Sequence, residues 1–209
     1  MKSAFFGARE KAFPMSLRIL VILPVLCVMA CAARFTPDNP MKIVVVGDST
    51  VQTYPPETPI RGWGQYIGGF FNSNVKVVNL ALSGRSTKTF RIEGHWDKAL
   101  AEKGGWYLIQ FGHNDSHEKG RPESTDAATD FRENLRRYVD DVRKIGGKPV
   151  LVTPMHRRTF TSEGRMADNL APYAAAVKAV AKEKHVPMID LHAASGKVFL
   201  TLGDKGSAD

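Results

Sequence analysis

Past residue 40 the chain alternates between two hydrophobic patterns. Five short, nearly continuous runs rich in Val, Ile and Leu, at 42–46, 75–80, 106–111, 149–153 and 186–191, have the pattern of strands covered on both faces. Between them the apolar positions spread to helical spacing. Over 127–145, Phe131, Leu135, Tyr138, Val139, Val142 and Ile145 recur three and four residues apart, and Gly146-Gly147 ends the run as a glycine C-cap. Over 167–184, Leu170, Tyr173, Ala174, Val177 and Val180 repeat that stripe, and shorter helices are predicted over 64–71 and 96–102. Strand and helix in repeated alternation predict an α/β fold, a doubly wound three-layer sandwich with a parallel sheet. In such sheets a ligand site forms outside the carboxyl ends of the strands.

The first forty residues break this rhythm. Lys2, Arg9, Lys11 and Arg18 precede an apolar run over 19–30, and the small residues Ala30, Cys31, Ala32 and Ala33 follow. A basic start, a short apolar run and a small-residue cut site predict a secretory signal over 1–33, with Met15 as a second candidate start. The run is broken by Pro24 and falls short of the roughly 20 residues of a spanning helix. Residues 34–40, with Thr36-Pro37-Asp38-Asn39-Pro40, read as a linker into one domain at 41–209. An exported protein, periplasmic or secreted, is expected, with no membrane-spanning segment after the signal is removed. Both cysteines, Cys27 and Cys31, lie in the signal, so the mature domain carries no thiol. Val28-Met29-Ala30-Cys31 loosely resembles a bacterial lipobox with Cys31 as the lipid site; ordinary cleavage near Ala32 or Ala33 is the favoured reading.

Charge and composition narrow the partners. The signal takes three of the eight net positive charges and leaves five on the rest of the chain. That excess suits an acidic polymer such as a pectin, but the basic residues alternate with acids as on an ordinary solvated surface. No Arg/Lys run with interleaved aromatics points to nucleic acid. The six histidines show no His-x-x-x-His or related spacing, so no metal site is predicted.

Three motifs stand at successive strand ends. Gly47-Asp48-Ser49-Thr50 follows the first strand and puts a hydroxyl among the unpaired N–H groups of a starting helical turn, where a plain N-cap is the alternative. Ser83-Gly84-Arg85-Ser86-Thr87 follows the second, and its glycine lets a backbone N–H approach a ligand; an ordinary turn is the alternative. Phe111-Gly112-His113-Asn114-Asp115 follows the third, where Asn114 offers an amide donor or simply stabilises its own turn. Taken together, a hydroxyl and two kinds of donor at adjoining strand ends are what acyl transfer requires: a nucleophile and a hole for the oxygen of a tetrahedral intermediate.

These blocks, with Arg61-Gly62-Trp63-Gly64-Gln65, Asn79 and Glu93-Gly94-His95-Trp96-Asp97, resemble the SGNH or GDSL hydrolases, and within them the rhamnogalacturonan acetylesterase branch. The resemblance runs from about Met41 to the end of the chain. It implies a flavodoxin-like five-stranded parallel sheet of order 2-1-3-4-5. It implies Ser49 as nucleophile and an oxyanion hole made of the Ser49 N–H, the Gly84 N–H and the Asn114 side chain. The activity it implies is removal of acetyl groups from pectin or a related polysaccharide through an acyl-serine intermediate, without cofactor or metal. A non-catalytic carbohydrate-binding relative and a lipase-type esterase are the alternatives.

The family takes its histidine and aspartate from a late Asp-x-x-His block, and this sequence contains none. The expectation is a C-terminally truncated esterase of low activity, whose catalytic His and Asp are absent. His192, in Asp190-Leu191-His192, is the best remaining base, but it lies three strand steps from Ser49, about 14 Å at roughly 4.8 Å per step. His156, after the fourth strand, is a candidate substrate contact, and Trp63 and Trp96 are candidate platforms for sugar rings, with core packing as the alternative for both.

Overall fold

The computed structural model describes residues 39–208, so the signal, the Cys31 lipid site and most of the linker lie outside the described residues. Strands β1 (Met41–Gly47), β2 (Val75–Asn79), β3 (Trp106–Gln110), β4 (Lys148–Val152) and β5 (Met188–Ile189) form one sheet, all parallel, in the expected order β2-β1-β3-β4-β5. Helices α1 (Thr89–Ile92), α2 (His95–Ala101), α3 (Asp130–Lys144), α4 (Ala171–Lys184) and α5 (Leu191–Gly206) complete the layers. No described helix is long and apolar enough to cross a membrane.

Strand periodicity divides the core in two. Val44, Val46, Tyr107, Ile109 and Leu151 face one side, against Phe90, Trp96, Phe131, Leu135, Tyr138, Val142, Val177 and Val180 of α1 to α4. Their neighbours Ile43, Val45, Leu108, Val150 and Val152 face the other, where Trp63, Ile67 and Leu191 pack. The unbroken Val/Ile runs are therefore strands wanted by two cores at once. Each such side chain stabilises the fold by about 1.5–3 kcal/mol when fully buried.

Local chemistry sets the helix ends. Asp126 Oδ1 accepts the amides of Ala128 and Thr129 at 2.9 and 3.0 Å, which holds those residues in a turn and delays α3 to Asp130. At its far end Gly146, at φ +80°, donates to Arg143 and Gly147 to Val142, the paired closure expected of a left-handed glycine.

The structure departs from the sequence pattern at the unpredicted short helix α1, at the start of α4 (Ala171 rather than 167), and in three larger places. Residues 64–71 form two 3₁₀ turns, Trp63–Gln65 and Ile67–Phe70, rather than an α-helix. Gly64 is there for close approach, since a Cβ would collide with the Val51 carbonyl. The fifth strand pairs only through Met188 and Ile189, because Pro187 has no N–H and Asp190 already caps α5 by accepting from Ala193. Helix α5 has no counterpart in the pattern: Val198, Leu200 and Leu202 are all more than half exposed, so its apolar residues trace no inward stripe.

Candidate active site

β2, β1 and β3 are neighbours, so the three motifs meet along one stretch of the sheet's carboxyl edge. Gly47 lets β1 turn there: a Cβ would lie 2.6 Å from Val51 Cγ2 and 2.7 Å from the Gln110 carbonyl. The chain then makes one helical turn, with the Val51 and Gln52 amides both donating to the Asp48 carbonyl at 3.1 Å. Asp48 is fully buried, and its Oδ1 caps the turn by accepting the Thr50 amide at 2.9 Å and the Thr50 hydroxyl at 2.7 Å. Asp48 rather than Ser49 is thus the capping residue, and Ser49 stands half-exposed on the turn with its hydroxyl free of partners among the described residues.

A buried relay supports that turn from beneath. Trp63 Nε1 donates to Gln110 Oε1 at 2.8 Å, and Gln110 Nε2 donates to Thr50 Oγ1 at 2.6 Å. The Arg61-Gly62-Trp63-Gly64-Gln65 block reaches it through the Trp63 and Gly64 amides, bound to the carbonyls of Thr50 and Val51 at 3.0 and 3.1 Å. Asn79 Nδ2 grips the same Val51 carbonyl at 2.8 Å. His113 Nδ1 faces Asp48 Oδ2 at 3.6 Å.

The donors come from either side. Leu82 N–H binds the Gly47 carbonyl at 2.9 Å and draws the β2 turn to the end of β1; Gly84, at φ +77°, sits exposed on that turn. The Ser49 and Gly84 amides have no acceptor among the described residues. Asn114 is buried and uses one Nδ2 proton on the Arg85 carbonyl at 2.9 Å, which leaves its second. Asp115, fully buried, fastens this assembly: Oδ1 takes the hydroxyls of Thr87 at 2.5 Å and Thr125 at 2.9 Å, and Oδ2 the Thr87 amide at 3.1 Å. Burial pushes its carboxyl up to about 7, against the pull of those donors.

Apart from His113, which faces Asp48, the histidines fall elsewhere. Among the described residues none is hydrogen-bonded to Ser49. His95 contacts Glu93 at 3.1 Å, His117 contacts Glu123 at 2.6 Å, and exposed His185 caps α4 at φ +49°. His192 turns Nε2 to Asp168, 3.1 Å from Oδ1, and its Nδ1 is buried without a partner among the described residues. His156 stacks on His192 with ring centroids 4.7 Å apart and Nε2 3.6 Å from the same Oδ1. This cluster joins residues from three segments at the β4 and β5 ends, so no spacing in the sequence signals it. Of the sugar-platform candidates, Trp96 is core: it is 2% exposed, packs edge-on against Tyr138 and donates to Asp141 at 2.9 Å. Trp63 is half-buried and held by the relay.

Known proteins resemble the chain in sequence and in fold. Residues 45–209 match the model of the GDSL-like lipase/acylhydrolase family. Over 174 residues the chain is 41% identical to rhamnogalacturonan acetylesterase RhgT of Bacillus subtilis (strain 168), covering 81% of this chain and 72% of that one. It is 37% identical over 166 residues to probable rhamnogalacturonan acetylesterase YesY of the same organism, covering 78% and 76%. The crystal structure of Bacillus subtilis YxiM matches with a TM-score of 0.69 and 30% identity, over 79% of this chain but only 48% of that one. Axe2, an acetylxylan esterase from Geobacillus stearothermophilus, shares the fold with a TM-score of 0.66 at 21% identity, covering 80% of this chain and 84% of that one. The chain belongs to the GDSL-like lipase/acylhydrolase family.

Proposed function

We infer that the chain is a serine carbohydrate O-acetylesterase, with Ser49 as nucleophile and acetylated rhamnogalacturonan or a related cell-wall polysaccharide as substrate. The observation that carries this reading is the corner itself: an unpartnered hydroxyl beside two unpaired amides and a spare amide proton on Asn114. Ser49 Oγ attacks the acetyl carbonyl and passes its proton to a base, and the new oxyanion is received by the Ser49 and Gly84 amides and Asn114 Nδ2. Collapse expels the sugar hydroxyl, which recovers a proton, and water then releases acetate from the acyl-serine. The proton step calls for an imidazole held by a carboxylate, and no described histidine is hydrogen-bonded to Ser49 to supply it. Export through the signal at 1–33, with or without a lipid at Cys31, would bring the enzyme to an extracellular polymer.

The substrate class is tested by comparing acetate release from acetylated rhamnogalacturonan with hydrolysis of aryl acetate and a long-chain aryl ester. Ser49-dependent turnover of the two acetylated substrates, with the long-chain ester spared, supports the acetylesterase. Preference for the long-chain ester favours a lipase instead, and turnover that survives Ser49→Ala overturns the nucleophile.

A further inference from the structure

We propose that His156, Asp168 and His192 form a binding site for a divalent transition-metal ion of the zinc type. The reasoning starts from proton positions. His156 Nδ1 lies 2.9 Å from the Arg157 carbonyl, which can only accept, so Nδ1 carries the ring proton and Nε2 presents a bare lone pair. That lone pair faces Asp168 Oδ1 at 3.6 Å, acceptor against acceptor. His192 Nε2 meets the same carboxylate at 3.1 Å from Oδ1 and 3.2 Å from Oδ2. A cation between the three relieves that opposition once the imidazoles, stacked 12° from parallel, rotate to turn their lone pairs toward it.

The dimensions agree. One ligand atom from each residue falls within 4.8 Å of the others. Tetrahedral zinc with bonds of about 2.0–2.1 Å sets its ligand atoms roughly 3.3 Å apart, and the two nitrogen–oxygen separations of 3.1 and 3.6 Å bracket that value. Two imidazoles and a carboxylate select Zn²⁺ and its neighbours over Mg²⁺ or Ca²⁺, which take oxygen ligands. Each imidazole is nine-tenths buried and its backbone is fixed: the His156 amide donates to Ser195 Oγ and the His192 amide to Thr153 Oγ1, both at 2.8 Å. The Arg157 carbonyl behind His156 is the usual outer partner of a metal-binding histidine, whereas the buried Nδ1 of His192 has none among the described residues. The open side is a cleft of about 770 Å³ lined by Arg165, Met166, Lys197 and Leu200, which leaves a fourth position to water or a substrate oxygen.

Such an ion fastens the loop between β4 and α4 to the start of α5. It also reaches the other corner mechanically, because Arg157 Nη2 donates to the His113 carbonyl at 2.8 Å, next to Asn114. The experiment is titration of the full chain, prepared without a polyhistidine tag, with Zn²⁺ by calorimetry and with Co²⁺ by visible absorption. The expected result is one equivalent bound, a cobalt spectrum of tetrahedral intensity, and an affinity at least about ten-fold lower in Asp168→Asn and in His192→Gln. Ser49→Ala should bind as the parent does. Equal affinity in the two ligand variants, or no visible cobalt band from the unaltered chain, overturns the proposal and leaves a carboxylate shared by two imidazoles. The cobalt spectrum needs no variant, so a substitution that unfolds the chain does not blunt the test.

Discussion

The two ends of the sheet's carboxyl edge have opposite polarity. At the β2, β1 and β3 ends, the Ser49 and Gly84 amides and one proton of the Asn114 amide are left without acceptors among the described residues, the corner proposed to receive developing negative charge. At the β4 and β5 ends, His156 and His192 stack beside the Asp168 carboxylate, the corner proposed to take a cation. The difference teaches that one parallel edge supplies chemistry through what its loops leave unsatisfied. Both corners rest on well-satisfied supports: the Trp63–Gln110–Thr50 relay under the first, Ser195 and Thr153 under the second.

The largest break in this comparison is expected from Ser49→Ala. With a histidine base within reach of Ser49, loss of the proposed nucleophile should lower acetyl-ester turnover by about 10⁴-fold or more; without that base the fall should be small, because such a triad acts as a unit. Steady-state acetate release measures it, with zinc affinity as the control at the other corner. Next comes Asp115. Its carboxyl titrates at about 7 folded against an ordinary 3.8, so the unfolded chain gives up this proton first as pH rises. The associated stability is fully present below about pH 4, declines through pH 7 and stays lost above it, a change on the order of 4 kcal/mol. Thermal melts from pH 4 to 8 should show that decline, and Asp115→Asn should flatten it. A slope unchanged in the variant assigns the titration elsewhere.

Asn114→Ala removes the proposed oxyanion donor and the tie to Arg85, with an expected fall in kcat of about 10²–10³-fold. If KM rises while kcat holds, Asn114 binds substrate rather than the transition state. The smallest effects come from the glycines that seat each corner. Gly47→Ala sets a Cβ against the Gln110 backbone at 2.7 Å and should cost about 1–3 kcal/mol in denaturant unfolding. Gly196→Ala approaches only the His156 ring, at 3.2 Å, and replaces a helical glycine, which itself stabilises by roughly 1 kcal/mol if the ring can give by a few tenths of an ångström. The two terms should nearly cancel. A large loss at Gly196 would mean that the His156 ring is locked in place.

How much of this is legible in the sequence depends on where the signal resides. The strands need no alternation to be found: continuous runs such as Ile43 to Val46 are buried on both sides, and they stand out in any window. Helices α3 and α4 are readable because each turns one face into a single large core. Helix α5 is not, since Leu191 is its main inward apolar contact and Val198, Leu200 and Leu202 face outward. The motif residues Ser49, Gly84 and Asn114 are legible because each closely follows a strand, and sheet order then makes them neighbours. The cation corner is illegible for the converse reason: Asp168 lies in a long loop, and only the fold of that loop brings it to His156 and His192.

The relay beneath Ser49 has a direction. An indole N–H can only donate, so Gln110 must receive on Oε1 and give from Nε2, and Thr50 must then give its own proton to Asp48. Every dipole along it points the same way, from the packed layer toward the turn that carries Ser49. Charge appearing at that turn is therefore felt by the ring of Trp63, which makes its emission an optical gauge of events at Ser49, readable against the sequestered Trp96 in a chain with three tryptophans.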